Sequence, residues 1–334
     1  MAWDIPNIPS DAFLSEIRAE FLTTYRDTVR RNAKLPLAMQ LGVGSDKRTE
    51  RYGYWESPPL PERWLRGRSI PRESGQAIAY QVTNLDWGKA IDWHENDLED
   101  LKLGDLRTWA RGLAQRFAVL PERVFFQLLL GSTNAKLLPS IPTAPDGGAL
   151  YATTAGGAAR FGATGGNIYT GSGTPSSAQG VREDFFGSVE RMRTFQDTKG
   201  EPLHDDSLLE QGFLIIYNVD YEAVFREAFV QGRTLEVGGA GASAGAAVSN
   251  VILDSGMKVT LWGTQRITDA DWYVFATQVE PKPVFEQLRM PLRTIEETRD
   301  NSSRARNEKI LSFLADMRAG YSYNLPYGTV KVNN

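Results

Sequence analysis

Four of the eight tryptophans, Trp55, Trp64, Trp87 and Trp93, fall within residues 51–94, a segment with no hydrophobic period able to close a core of its own. Large aromatics without a local core need apolar cover from another element or from another copy of the chain. Pro58, Pro59 and Pro61 interrupt the first half of the segment. The second half, Ala79 to Trp87, alternates as a strand does. The pattern predicts a long two-stranded excursion that leaves its parent body.

The body is legible on either side. Residues 11–31 predict an amphipathic helix, with Phe13, Ile17, Phe21 and Tyr25 four apart and Ser10 as N-cap. An arm with little pattern then runs to about Glu50. Residues 97–120 give the strongest helical stripe: Leu106, Trp109, Leu113, Phe117 and Leu120, extended upstream by Leu98 and Leu101. The acidic residues from Glu95 to Asp100 would favour the positive end of its dipole. Pro121 ends or kinks this helix and can equally start the next turn, where Val124 to Leu130 is apolar and stops at Gly131.

Residues 137–180 change composition. Only Asp146 and Arg160 are charged, and ten glycines lie between Gly147 and Gly180. The stretch predicts a long loop or irregular β excursion whose ordering alone costs much entropy. A helix follows at Val181–Thr194, with Phe185, Phe186, Val189 and Met192. Then comes a compact α/β piece: a buried strand from Gly212 to Tyr217, a helix from Val219 to Phe229, and strands at Lys258–Trp262 and Trp272–Thr277. The C-terminal part, Ile310–Val332, alternates after a charged turn at Glu296–Asn307. No internal repeat is visible.

Catalytic chemistry finds little material. The chain has 334 residues and no cysteine, so disulfides, thiol nucleophiles and cysteine metal sites are excluded. It has two histidines, His94 and His204, too few for a multi-histidine centre. Gly239 to Gly245 imitates a dinucleotide loop, but its third glycine comes one position late and no helix follows. No phosphate loop or nucleophile elbow occurs. No catalytic, cofactor or metal site is predicted. With 37 basic against 41 acidic residues the net charge is −4, which argues against a strongly basic nucleic-acid binder but leaves room for a local basic patch. Met1 to Pro9 is polar and Pro-rich, unlike a signal peptide, and no apolar run is long enough for a membrane span. A soluble protein made in a cytoplasm is expected.

Three blocks carry a resemblance. Glu50-Arg51-Tyr52-Gly53-Tyr54-Trp55 with Pro61-Glu62-Arg63-Trp64-Leu65 resembles a T-Y-G-W…L-K-E-W pattern near the start of Mu-like phage major head proteins. Asp97 to Asp100, leading through to Val119-Leu120-Pro121-Glu122-Arg123-Val124-Phe125, is similar to their acidic stretch and long helix ending in V-x-P-D-E-x-I-F. Phe213 to Tyr221, with Arg299 to Tyr321, looks like the strand–helix and C-terminal strand of Hong Kong-97-type capsid proteins. The blocks keep the family's order and span most of the chain. Residues 137–180 find no counterpart.

The resemblance implies an α+β Hong Kong-97-type capsid fold. Its parts would be an N-terminal arm (1–50), an extended hairpin loop (51–94), a peripheral domain with a spine helix and the glycine-rich excursion (95–211), an axial domain (212–290), and a C-terminal return to the peripheral domain (291–334). It implies a non-enzymatic major capsid protein of a tailed phage, prophage or phage-derived particle. Hexamers and pentamers would close into an icosahedral shell around double-stranded DNA, assembled in the host bacterial cytoplasm. A separate scaffold, a portal and decoration proteins would be partners; a membrane would not. Tyr52, Trp55, Trp64 and Trp87 become candidates for contacts between subunits. Lys89, Asn301 and Glu308 are the residues that a lysine–asparagine cross-link of the kind some relatives make would use, and a single uncross-linked species is expected. The excursion 147–180 is expected to stay mobile until neighbours pin it. Two other readings stand: another virion component such as a tail tube or ring, and a nucleotide-dependent enzyme using the 238–247 loop.

Overall fold

The computed structural model describes residues 10–55, 61, 63–64, 69–70, 77–94, 103–205, 212–231, 233–236, 246–249, 252 and 256–334. Helix α1 (Ser10–Arg31) leads through a short helix α2 (Leu35–Ala38) into strand β1 (Met39–Gly44). Strands β2 (Thr49–Trp55) and β3 (Ala77–Thr83) form an antiparallel ribbon in register from Thr49↔Thr83 to Trp55↔Ala77. Strand β4 (Leu85–His94) precedes the spine helix α3 (Leu103–Ala118) and helix α4 (Leu120–Leu130). Proline sits in the first turn of α4, where its missing N–H goes unneeded. Gly131 ends α4 at φ 61°, a conformation that glycine adopts without strain.

The excursion after α4 holds two small strands, β5 (Thr154–Ala155) and β6 (Ala158–Ala159), and then β7 (Ile168–Thr170). Helix α5 (Ala178–Arg193), capped by the Ser177 hydroxyl, leads on to β8 (Phe213–Asn218) and α6 (Glu222–Phe229). A two-stranded pair, β9 (Arg233–Glu236) with β10 (Ala246–Ser249), brackets the second glycine-rich loop, of which residues 238–245 lie outside the described residues. Strands β11 (Val259–Thr264), β12 (Trp272–Ala276) and β13 (Val284–Glu297), helix α7 (Ser303–Glu308), and strands β14 (Ile310–Tyr323) and β15 (Thr329–Asn333) complete the chain.

Two sheets organise these elements. One runs β1-β13-β14-β4, the other β11-β8-β12-β15-β7. The second sheet lies between two cores, and β8 shows why its whole run is apolar. Leu214 and Ile216 enter the core shared with α1, α3, α4 and the first sheet. Phe213, Ile215 and Tyr217 enter the core shared with α5 and α6. Alternate residues of a strand face opposite sides, so a strand buried on both faces has no polar side.

The structure departs from the sequence expectations in four places. The run Ala79–Trp87 is broken at Asn84, whose N–H donates to the Arg48 carbonyl and whose side-chain amide donates to Ser45 Oγ and the Lys47 carbonyl. The ribbon therefore ends at Thr83, and β4 belongs to the first sheet, paired with β14 from Leu85↔Ala319 to His94↔Ile310. On α3 the buried face is Ala110, Leu113, Ala114 and Phe117, while Trp109 is 62% exposed. Residues 109 and 110 both suit a helical step from Leu113, and the small one takes the side that α1 covers. The arm up to residue 50 is structured: Leu14, Ile17 and Phe21 of α1 are buried, and β1 joins the sheet parallel to β13. Last, the segments cross the expected boundaries. Helix α5 and β7 pack with the strands β8, β11 and β12, and β15 joins that sheet too, whereas β13 and β14 lie in the first one.

Candidate assembly surfaces

The base of the ribbon is fixed to its own subunit. Tyr52 stacks on Tyr80 at 5.4 Å, meets Phe285 edge-on at 5.5 Å, and donates its hydroxyl to Gln287 Oε1 at 2.7 Å. Burial raises the Tyr52 phenol, and the nearby Glu50 raises it further. Tyr80 donates to Asn324 Oδ1 at 3.1 Å, and burial, then Tyr52, pushes its phenol up to about 12. Gly320 on β14 lets the ribbon close down, since a Cβ there would stand 3.0 Å from the Thr83 carbonyl. At the turn before β2, Glu50 accepts from the Lys47 and Asp46 amides and from Ser45 Oγ; the two amide bonds hold its carboxyl below the usual range.

This geometry separates the four sequence candidates for contacts between subunits. Trp87 is 9% exposed, donates Nε1–H to the Ala319 carbonyl at 3.0 Å and meets Tyr321 edge-on. Tyr52 is half-buried in the contacts just described. Both engage their own subunit, because β4 is a sheet strand and the ribbon's first residues lie on that sheet. The Trp55 side chain lies outside the described residues. Trp64 is 60% exposed, and Ile70 further along the same excursion is 62% exposed. Sequence periodicity missed Trp109 by placing it in the core.

The cross-link candidates are scattered. Lys89 is exposed on β4 opposite Ala315. His94, at the α7 end of that strand, is five residues further on, roughly 16 Å at the rise of a strand. Asn301 is tied into its own turn: Oδ1 accepts from the Thr298 amide and Nδ2 donates to the Glu296 carbonyl, each at 2.8 Å. Glu308 accepts from Arg304 Nε within α7.

The glycine-rich excursion is held from inside. Its two charges close on each other: Arg160 Nε donates to Asp146 Oδ2 at 2.7 Å and NH2 to Oδ1 at 2.9 Å. Arg160 NH1 reaches the carbonyls of Ala149 and Leu150 and the Asn167 side chain. Arg160 is 2% exposed and Asn167 is fully buried. A fork–fork pair of this kind fixes direction as well as distance. The composition hid that its only two charges pair. Near its exit, Phe161 packs on Phe195, and His204 lies between Phe195 and Tyr327 with Nε2 at 2.9 Å from the Tyr327 carbonyl.

Among the described residues, no group of His, Asp and Glu could hold a metal ion, and no helix is long and apolar enough to cross a membrane. What the geometry offers is surface: a ribbon rooted in its own sheet, with large apolar side chains exposed beyond the root, and a tryptophan on the outer face of the spine.

Residues 14–137 match the family model of the Mu-like prophage major head subunit gpT. No curated protein sequence matches the chain. Among solved structures, the capsid of an empty GTA particle superposes with a TM-score of 0.52 at 12% identity, covering 90% of this chain and 90% of that one. The mature capsid of bacteriophage PhiM1 gives a TM-score of 0.51 at 13% identity, covering 89% and 85%. The virus-like particle from Pyrococcus furiosus gives 0.47 at 11% identity, covering 93% and 96%. At such identities the likeness is one of fold, and that fold is the Hong Kong-97 type expected from the sequence. The head-subunit match runs through α1, the ribbon, the spine and α4, and the capsid-like fold spans 90% of the chain.

Proposed function

We propose that the chain assembles with copies of itself, through hexamers and pentamers, into an icosahedral shell around double-stranded DNA inside a bacterial host. The role is structural. A weak contact repeated over a closed shell needs only modest strength at each copy. A separate scaffold, a portal and decoration proteins would complete the particle.

The observation that carries this reading is the contrast along one excursion. Tyr52, Tyr80 and Asn84 anchor its base, whereas Trp64 and Ile70 stand about three-fifths exposed beyond the base. Large apolar side chains exposed at a surface mark a contact with a partner. A neighbouring copy supplies one, and Trp109 on the spine is the receiving surface favoured here. Negative-stain electron microscopy of the purified chain tests the reading. Closed shells or capsomers are expected; tubes would point to another virion component, and a strict monomer at every salt and concentration would refute assembly.

A further inference from the structure

Helix α1 changes character along its length. In its first half the charges are spent within the subunit: Glu16 pairs with Arg107, Glu20 with Arg111, and Arg18 with Glu296. From Arg26 to Lys34, the helix and the turn after it carry Arg26, Arg30, Arg31 and Lys34 against Asp27 alone, all exposed. Two contacts bring further cations to this end. Asn32 Nδ2 donates to Glu122 Oε2 at 3.0 Å, which joins the end of α1 to the first turn of α4. Arg266, from the turn after β11, donates to the other oxygen of Glu122 at 2.9 Å and lies over the Phe126 ring at 5.7 Å. Both Glu122 oxygens are thereby occupied, and Arg123 stands half-exposed beside them.

Helix electrostatics explain part of this set. Arg30 and Arg31 fall in the last turn of α1, where cations complement the dipole. Arg123 does not fit that account. It lies in the first turn of α4, the positive end, where a cation is unfavourable. No ion pair joins Arg26, Arg30, Arg31 or Arg123 to another described residue. Apart from Arg266, which Glu122 pairs, the cations gathered from α1 and α4, one of them against its own helix dipole, repel one another unless a further anion lies between them. Guanidinium forks suit phosphate oxygens, and a set drawn from two elements suits an extended polyanion better than a single ion.

We propose that this junction is a phosphate-binding face whose occupant is the backbone of duplex DNA. The proposal rests on the shell reading and adds which face of the subunit looks inward. The contact is independent of base sequence and weakened by salt, as phosphate contacts are.

The experiment is fluorescence anisotropy of a short mixed-sequence DNA duplex with the unassembled full-length chain, between about 50 and about 200 mM salt. Wild-type protein should bind, and the logarithm of its affinity should fall linearly with the logarithm of salt. The triple variant R30Q/R31Q/R123Q should lose at least about tenfold in affinity at low salt, with a slope smaller by about 3, one for each phosphate contact removed. The variant R30K/R31K/R123K, which keeps the charge, should keep most of the slope. Melting and shell formation of both variants should match wild type, since the side chains are exposed or half-exposed. Unchanged affinity and slope in the glutamine variant would overturn the proposal. So would binding of poly-glutamate that is lost in that variant while DNA binding persists, which would assign the face to an acidic protein. Loss of shells with DNA binding intact would make it a subunit contact. If wild-type protein forms no shells, the shell reading itself fails, whatever the binding data show.

Discussion

The ribbon of residues 49–83 and the excursion of residues 137–180 both leave the sheets for long stretches, and they are held in opposite ways. The ribbon is rich in aromatics, is fastened at its base by Tyr52 and Tyr80, and among its described residues exposes Trp64 and Ile70. The excursion is rich in glycine and poor in charge, yet it is clasped by a buried arginine that satisfies a carboxylate, two carbonyls and an amide at once. Aromatic content thus marks the segment that reaches outward. A scarcity of charge marks the one that folds inward, where the two charges pair with each other in a buried clasp.

The comparison breaks most sharply at Arg160. Arg160→Ala would leave Asp146 without its cation and the Ala149 and Leu150 carbonyls without their donor. Breaking a buried pair from one side costs about 3–5 kcal/mol, which for a chain this long lowers the melting temperature by roughly 4–7 °C. Calorimetry of the unassembled subunit checks this; a shift within error would mean the clasp is dispensable.

Trp87→Ala tests the inner limit of the ribbon segment. A buried tryptophan replaced by alanine costs about 3–5 kcal/mol, so this variant should melt well below wild type before assembly enters. Trp64→Ala should behave in the reverse way. Its side chain is 60% exposed, so melting should stay within about 0.5 kcal/mol of wild type, while particle yield falls. A Trp64→Ala subunit that melts early and still forms particles would contradict the assignment.

Smaller effects sharpen the picture. Burial lowers the His204 pKa, partly offset by its bond to the Tyr327 carbonyl. The unfolded chain therefore takes up this proton first as pH falls. Stability from this site is complete above an unfolded value of about 6.5 and is lost as pH drops through and below it, by at most about 1.4 kcal/mol per pH unit. Urea titrations in that window should show the slope, and His204→Gln should flatten it. Smallest of all is Lys89→Ala. Asn301 is engaged in its own turn, so wild type and variant should each run as a single band on denaturing gels of particles; a ladder lost on mutation would reverse this.

Much of this was legible from residue order alone. The period of α1, the proline that opens α4 and the glycine that closes it are local signals, and local signals survive in sequence. The two-faced burial of β8 is equally local, since a strand without a polar side has one reading. What was hidden depends on distant partners. Asn84 looks like one more polar position in an alternating run, and its turn contacts with Ser45 and Lys47 become visible only in three dimensions. The pairing of β4 with β14 joins residues more than 200 positions apart. Trp109 and Ala110 cannot be ranked by period until α1 is seen to lie on the small one. Of the assembly candidates, Trp64 is exposed and Trp87 is buried, a difference that aromatic content alone does not show.

Hydrogen exchange followed in the free subunit and again in assembled particles tests the central contrast in one measurement. Amides around Asp146 to Asn167 should be protected equally in both states, since the Arg160 clasp lies within the subunit. Peptides containing Trp64 and Ile70 should exchange fast in the free subunit and slow markedly in particles. If the excursion gains protection only on assembly, or the peptides around Trp64 are as protected before assembly as after it, the division into an inward clasp and an outward anchor is wrong.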